Sequence, residues 1–290
     1  MKLMRTGEPG YERATVSADG VMWFDATAVV DDIDPGFFAG DGLQRLRSAL
    51  DAGTLRPVAT DGVRIGPALG SPTSIVCIGM NYAAHAAESG SSPPDELVIF
   101  FKKTNTVCGP HEPIVPTDAR STIDWEVELG VVIGAPLHGR VSPAEAMSAI
   151  AGYVLADDLS DRWLQIERSG GQWSKGKSFP GSCALGPWIA TADEIADPQS
   201  LRMRSWVNGQ PRQDSTTADM VFPVAQILTE LARVMALEPG DLILTGTPEG
   251  VALSGRFPYL SSGDTVRMTI DGLGEIEHTV APFPTEEVTA

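Results

Sequence analysis

The chain has 290 residues, of which 42% are hydrophobic and 20% are charged, and its formal net charge is −17. This length and composition are typical of a globular protein with one large domain or two domains. The acidic charge argues against a nucleic-acid partner, which needs a basic patch, and against binding to an anionic membrane surface. An acidic protein that handles an anionic substrate needs a local cation, and a bound metal ion can supply it.

The cysteines and the start of the chain predict a cytoplasmic protein. Cys77, Cys108 and Cys183 are far apart, odd in number and without a C-x-x-C motif, so neither a disulfide framework nor a zinc site is expected. The first residues lack the apolar stretch of a secretory signal, and no apolar run has the length that spans a bilayer. A reducing cytoplasm fits these features best.

Residues 1–70 are predicted to form a small N-terminal α/β domain without chemical motifs. A short hairpin is expected around Asp19-Gly20, and the pattern over 43–50 predicts a helix. The stretch 61–72 is rich in Gly and Pro and is expected to be a linker or an edge. We interpret this unit as a support for a lid or as a docking domain.

Residues 71–290 are predicted to form the main domain, in which short strands outnumber helices. Helices are expected after Asn81, after the capping box that Ser142 forms with Glu145, and over 222–236. Asn208-Gly209 is a strong hairpin signal. The expected strands are 74–79, 97–101, 124–134, 152–158, 201–207, 242–244, 266–270 and 275–280. This pattern indicates a β-rich α+β fold with a rolled sheet.

Acidic residues in two of these strands form a candidate metal site. Glu126 and Glu128 alternate with apolar residues, so both point to the same face of their strand. The strand over 152–158 ends in Asp157 and Asp158. Neighbouring carboxylates repel one another, and either water on a solvated face or a bound divalent cation must offset that repulsion. In the second case the all-oxygen donor set favours Mg²⁺, Mn²⁺ or Ca²⁺ over zinc.

Other polar residues have both a catalytic and a structural interpretation. His85 and Glu88 are three residues apart, so on a helix they form either a general-base dyad or a solvent-facing pair. Lys177 either stabilises a developing oxyanion or is a surface lysine, with Lys175 as a competitor. Arg162, Gln165 and the segment 245–248 either contact a ligand or occupy solvated helix and turn positions.

Together these motifs resemble the fumarylacetoacetate hydrolase family over roughly residues 71–280. The matching segments are Cys77-Ile78-Gly79-Met80-Asn81-Tyr82, His85-x-x-Glu88, Trp125-Glu126-Val127-Glu128-Leu129, Asp158-x-x-x-Arg162, Lys177-Ser178-Phe179, Asn208-Gly209, Glu238-Pro239-Gly240-Asp241 and Thr245-Gly246-Thr247-Pro248. The N-terminal part and residues 172–177 resemble the bacterial branch that hydrolyses 2,4-diketo-3-deoxy sugar acids. The chain departs from the family pattern at Asp157, Trp163, Pro180-Gly181-Ser182 and Ala252.

The resemblance implies a mixed β-sandwich roll, a homodimer and a divalent metal, Mg²⁺ or Mn²⁺, held by Glu126, Glu128 and Asp158. It implies that His85 and Glu88 activate a water molecule, under a lid that becomes ordered when substrate binds. Lys177, Gln165 and Thr247 would hold a 2-oxo acid substrate, and Arg162 is a further candidate contact.

The expected activity is metal-dependent hydrolysis of the C3–C4 bond of a 2,4-diketo acid, either an acylpyruvate or a 2,4-diketo-3-deoxy sugar acid. Two alternatives remain open at this stage. The same site could decarboxylate a 2-oxo acid such as oxaloacetate or isomerise it between keto and enol forms, because a fold does not decide the reaction. The chain could also be a binder of keto acids without catalysis.

Overall fold

The computed structural model describes residues 1–285, so the last five residues of the predicted main domain lie outside the described residues. The α-helices of the described part are short: α1 Pro35–Ala39, α2 Gly42–Asp51, α3 Ala83–Glu88, α4 Pro143–Ser148, α5 Ser174–Lys177 and α6 Val224–Val234. None of them has the length and apolarity required to cross a membrane. The capping box is confirmed, because Ser142 Oγ accepts the Glu145 backbone N–H and the Glu145 side chain accepts the Ser142 N–H.

Seventeen strands are found in residues 1–285, and they dominate the fold. They are β1 Lys2–Thr6, β2 Arg13–Ser17, β3 Trp23–Asp25, β4 Arg56–Val58, β5 Ile75–Gly79, β6 Val98–Lys102, β7 Val107–Cys108, β8 Ile123–Asp124, β9 Val127–Ile133, β10 Ile150–Asp158, β11 Ser160–Asp161, β12 Cys183–Thr191, β13 Arg202–Val207, β14 Gln210–Thr216, β15 Leu242–Leu244, β16 Thr265–Ile270 and β17 Gly274–Thr279. The predicted β-rich α+β class is confirmed.

The strands form one large mixed sheet and a smaller antiparallel sheet. The large sheet has the order β4-β3-β2-β1-β12-β10-β9-β15-β5-β6, with β7 beside β12. The small sheet has the order β14-β13-β16-β17, and β8 pairs separately with β11. The predicted hairpin at Asn208-Gly209 joins β13 to β14, and both turn residues have positive φ, as a type I′ turn requires.

Both faces of the large sheet are buried. On one face, Val127, Leu129 and Val131 of β9 share a core with residues of the small sheet and with Leu228 of α6. On the other face, Val132 of β9 belongs to a second core. This second core also contains Leu3, Val16, Phe37, Leu46, Val154 and Ile189. The alternation along β9 therefore places the large sheet between the small sheet and the N-terminal helices. The packing of the two sheets face to face is that of a β-sandwich.

The first 70 residues join the large sheet directly. Strand β1 pairs antiparallel with β12, with Lys2 opposite Ala190 and Leu3 opposite Ile189. The Met1 ammonium also contacts Glu194 at 2.7 Å. The N-terminal segment thus shares a sheet and a core with the rest of the protein, and its description as a domain ending at residue 70 stays a prediction.

Candidate active site

The three predicted metal ligands lie together in the structure. Glu126 directly precedes β9, Glu128 lies within β9, and Asp158 ends β10. Because β9 and β10 are antiparallel, with Glu128 opposite Ala156, the start of one strand lies beside the end of the other. One carboxylate oxygen from each residue lies within 4.8 Å of the other two. These side chains are buried, so the alternative of a solvated acidic face is wrong.

The charge around the three carboxylates is unequally compensated. Burial by itself raises the pKa of Glu126, but Lys177 and Arg162 outweigh burial and hold the pKa below its usual range. Burial raises the pKa of Glu128 strongly, and the neighbouring Asp158 and Glu126 raise it further. Glu128 accepts a hydrogen bond from the Gly246 N–H at 2.8 Å, which offsets only part of this cost.

The residues present therefore fit a divalent cation. Three buried carboxylates form a hard oxygen donor set of the kind that holds Mg²⁺, Mn²⁺ or Ca²⁺. A cation close to Glu128 would lower the cost of ionising this carboxylate, which has no cationic side chain within hydrogen-bond distance among the described residues.

Two buried lysines contact the acidic cluster, which consists of Glu126, Glu128 and Asp158. Lys177 Nζ donates to Glu126 Oε2 at 2.7 Å and to Asp158 Oδ2 at 2.6 Å. Burial lowers the pKa of Lys177, but Asp158 and Glu126 outweigh burial, and the net pKa is raised. The surface interpretation of Lys177 is wrong, whereas Lys175 is exposed and donates to the Arg168 carbonyl.

The second lysine, Lys102, was not among the predicted site residues. Its Nζ donates to Asp158 Oδ1 at 2.6 Å and to the Leu159 carbonyl at 3.2 Å. The one local signal was the polar end of an apolar strand, which is also typical of an ordinary surface lysine. Its contact with Asp158 depends on the packing of β6 near the end of β10, which the local sequence does not reveal.

His85 and Glu88 of α3 form a buried pair beside the acidic cluster. His85 Nδ1 lies 3.1 Å from Glu88 Oε1, and both Glu88 oxygens accept the Gly250 N–H at 3.0 Å. Because an ionised carboxylate can only accept, we assign the imidazole proton to Nδ1, which leaves Nε2 free to accept one. His85 is only 6% exposed, so the alternative of a solvent-facing pair is wrong.

The three predicted substrate contacts line the same cavity, but their polar atoms are partly engaged. Arg162 donates from Nε to Asp124, from Nη1 to Gln165 and from Nη2 to Glu126. Arg162 thus binds Glu126 Oε1, whereas Lys177 binds Oε2. Gln165 lies in a one-turn π-helix over Trp163–Glu167, a local geometry that is frequent at functional sites.

Thr247 is held by a glutamine that the sequence analysis did not identify. The Thr247 hydroxyl donates to the Val127 carbonyl at 3.0 Å and accepts from Gln213 Nε2 at 2.8 Å. One lone pair of the hydroxyl is left for a ligand. Gln213 comes from β14 of the small sheet, so this contact connects the two sheets at the site.

A cavity of about 190 Å³ connects these groups. Its polar lining includes His85, Glu126, Glu128, Lys177 and Thr247. Its apolar lining consists of Ile78, Met80, Phe100, Ile166, Trp173 and Leu253. The cavity therefore holds a candidate metal site, a candidate general base and a cationic group around one small volume, which suits the activation of water and the stabilisation of an oxyanion.

Comparison with known proteins places this architecture in a family of enzymes. The family model described as fumarylacetoacetate (FAA) hydrolase C-terminal matches residues 74–281. A Burkholderia multivorans protein called "Putative hydrolase" is 47% identical over 280 residues, which are 95% of this chain and 97% of the relative.

Two solved structures show the range of activities in similar proteins. The 5-carboxymethyl-2-hydroxymuconate delta-isomerase from Mycobacterium smegmatis has a TM-score of 0.76 and 32% identity, covering 98% of this chain and 100% of that one. The maleylpyruvate hydrolase from Sphingobium sp. SYK-6 was solved with manganese (II) and pyruvate. It has a TM-score of 0.79 and 29% identity, covering 98% of this chain and 100% of that one. The protein described here belongs to the fumarylacetoacetate hydrolase family, whose members include hydrolases and isomerases.

Proposed function

We propose that the protein is a divalent-metal-dependent hydrolase that cleaves the C3–C4 bond of a 2,4-diketo acid to pyruvate and a carboxylic acid. The observation that carries this proposal is that Glu126, Glu128 and His85 line one cavity. Asp158 lies within 4.8 Å of the two glutamates, and Glu88 is paired with His85. The similar hydrolase solved with manganese (II) and pyruvate supports both the metal and the product.

The metal ligands would be Glu126, Glu128 and Asp158, with Mg²⁺ or Mn²⁺ as the ion. When bound there, the cation supplies positive charge that offsets the negative charge of the substrate's carboxylate and 2-oxo oxygens. Lys177 remains beside Glu126 and Asp158 and adds a second positive charge at the same end of the cavity.

The water-activating step falls to the dyad. His85 Nε2 accepts a proton from water while Nδ1–H donates to Glu88, which stabilises the imidazolium that forms. The hydroxide attacks the C4 carbonyl, and the C3–C4 bond then breaks with its electron pair moving to the pyruvate enolate. The Lys177 ammonium stabilises the enolate oxygen, and the His85 imidazolium returns its proton to C3, which gives pyruvate and restores the neutral imidazole.

Replacing the general base tests this mechanism. We expect His85→Ala to lower kcat by about 10²–10⁴-fold, the usual contribution of a positioned acid–base group. The affinity for Mn²⁺, measured by calorimetric titration, should stay within about twofold because His85 is not one of the proposed ligands. His138→Ala is the matched control, since His138 is exposed and does not line the cavity. Hydrolysis by His85→Ala at the parental rate would refute the assignment.

The reaction type is tested by product analysis with a series of 2,4-diketo acids, Mg²⁺ or Mn²⁺, and a chelator control. The proposal requires metal-dependent release of equal amounts of pyruvate and a carboxylic acid. An isomerase is the second candidate, favoured by the similar delta-isomerase, and would convert keto and enol forms without cleavage. A decarboxylase would release CO₂ from oxaloacetate, and a binder would be stabilised by ligand without any product.

We also propose a homodimer in the cytoplasm. The homodimer rests on the family resemblance, and the cytoplasmic location rests on the lack of disulfides. The three cysteines are free and buried, in agreement with a reducing compartment. Light scattering would give the mass in solution, and a single 30.7 kDa species would contradict the dimer.

A further inference from the structure

The cavity has an apolar wall next to its charged end. Trp173 packs edge-on against Phe100, with ring centroids 5.6 Å apart. Trp173 also covers Gly79, where an added Cβ would lie 2.5 Å from Trp173 Cζ3. Met80 follows Gly79 and lines the cavity as well. Met80, Phe100 and Trp173 thus contribute apolar lining to one cavity. Lys177 Nζ lies 5.2 Å from the centroid of the Phe100 ring.

The positive charge of the cavity lies entirely at the acidic cluster. The basic residues that line the cavity in the described part of the chain are Lys177 and Arg162, and both contact Glu126. Their charges serve the end where the metal and the 2-oxo acid group would bind. Ser89 and Ser91 add hydroxyl groups to the lining but no charge.

Two basic residues outside the lining do not change this distribution: Lys102, which contacts Asp158, and Arg256. Arg256 Nη1 lies 3.9 Å from Glu88 Oε2, and the Arg256 guanidinium stacks over Phe257 at 5.3 Å. Its side chain is 61% exposed and already faces the Glu88 carboxylate. Its charge therefore lies against the Glu88 carboxylate, and Arg256 does not line the cavity.

From this distribution we propose that the acyl tail of the substrate, beyond C4, is short, uncharged and apolar, and binds against Met80, Phe100 and Trp173. This inference rests on the proposed function. A second carboxylate on the tail would be desolvated against apolar side chains without a cationic partner, which is strongly unfavourable. The cavity of about 190 Å³ is also below the roughly 300–1,000 Å³ of sites for drug-sized ligands.

The test compares four acylpyruvates that differ only in the tail. Two have apolar tails, 2,4-dioxopentanoate and 2,4-dioxoheptanoate. The other two are derivatives of 2,4-dioxoheptanoate, one with a second carboxylate at the end of the tail and one with two hydroxyls on the tail. We expect kcat/KM to rise about fourfold for each added methylene, the factor that corresponds to burying one CH₂. The carboxylate-ended compound should fall at least about 100-fold below its apolar counterpart. The inference is overturned if the charged or the hydroxylated compound has the highest kcat/KM.

Binding provides a readout that does not depend on turnover. The same compounds are added with Mn²⁺, and the shift in melting temperature is measured for each. If no compound releases pyruvate, the proposed function fails, but a larger shift with the apolar tail still supports this inference. Equal or larger shifts with the charged tail, or no shift with any compound, overturn it.

Variants at Met80 locate the tail site. Met80→Arg places a cation in the apolar wall and should raise the ratio of kcat/KM for the carboxylate-ended over the apolar compound by at least about tenfold. Met80→Leu keeps an apolar side chain at this positive-φ position and should preserve the parental ranking. Val234→Arg is the control for an added arginine, because Val234 is exposed and away from the cavity. An unchanged ratio in Met80→Arg contradicts the placement of the tail.

Discussion

Asp157, next to a proposed metal ligand, is part of a buried chain of contacts that positions Glu126. Asp157 Oδ1 accepts the Glu126 N–H at 2.9 Å, and Oδ2 lies 2.9 Å from His278 Nε2. Burial raises the pKa of Asp157, although the contact with His278 opposes this shift. His278 belongs to β17, so this chain connects Glu126 to the small sheet.

Removing His278 should destabilise the protein, because the buried Asp157 carboxylate would lose its partner. We expect His278→Ala to lower the free energy of unfolding by about 3–5 kcal/mol, because Asp157 loses its partner without regaining water. Adding Asp157→Asn should recover part of the loss, since the amide oxygen can still accept the Glu126 N–H and carries no charge. Urea unfolding of the parent protein, the single variant and the double variant measures both effects. A loss below about 1 kcal/mol in the single variant would show that Asp157 is protonated or solvated there.

At the scale of elements, the sequence predicted strands well where apolar residues either alternate or run continuously, as in β15, whose expected bounds 242–244 match Leu242–Leu244. Strands β9, β10, β13 and β16 were found close to their expected bounds, and the sequence spacing brought Glu126 and Glu128 to one site. Strand β12 was not predicted, although it lies between β1 and β10. Its sequence contains Gly186-Pro187, and Pro inside a run usually argues against a strand.

The structure shows how β12 accommodates the proline. The pairing with β10 shifts register between Val154 and Ala156, opposite the part of β12 that contains Pro187. A bulge therefore removes Pro187 from the hydrogen-bonded ladder. Such an adjustment depends on the partner strand and leaves no pattern in the local sequence. The same reason applies to Lys102 and Gln213, whose contacts join residues 56 and 34 positions apart.

The Gly79 end of β5 gives a prediction about the segment over 163–177. A Cβ at Gly79 would lie 2.5 Å from Trp173 Cζ3, so Gly79→Ala should displace the Trp173 ring from the cavity wall. We expect KM to rise about three- to tenfold with little change in kcat, because the ring contributes apolar contact and no chemistry. When Gly79→Ala is introduced into the Trp173→Phe variant, KM should rise less, because phenylalanine lacks the atom with which the added Cβ clashes. Equal effects in both backgrounds would mean that Gly79 acts through the strand itself.

For the whole molecule, the central question is whether the N-terminal segment folds with the rest. Leu3 on β1 is fully buried opposite Ile189 of β12, and both belong to the core that also contains Leu46 of α2. An apolar core shared in this way unfolds cooperatively, because neither part can keep its surface buried alone. The same sheet carries the acidic cluster at the junction of β9 and β10.

Leu3→Ala tests this cooperativity. A buried leucine reduced to alanine should cost about 2–5 kcal/mol, and calorimetry should show a single transition at a lower melting temperature. If the site is part of the same unit, Mn²⁺ should raise the melting temperature of this single transition in both the parent protein and Leu3→Ala. The reason is that a ligand stabilises the folding unit that contains its binding site. Val21→Ala is the control, because Val21 is 84% exposed on the same segment. The opposite outcome is two transitions, of which Leu3→Ala shifts only the one that Mn²⁺ does not affect. This result would establish an N-terminal domain that folds independently of the active site.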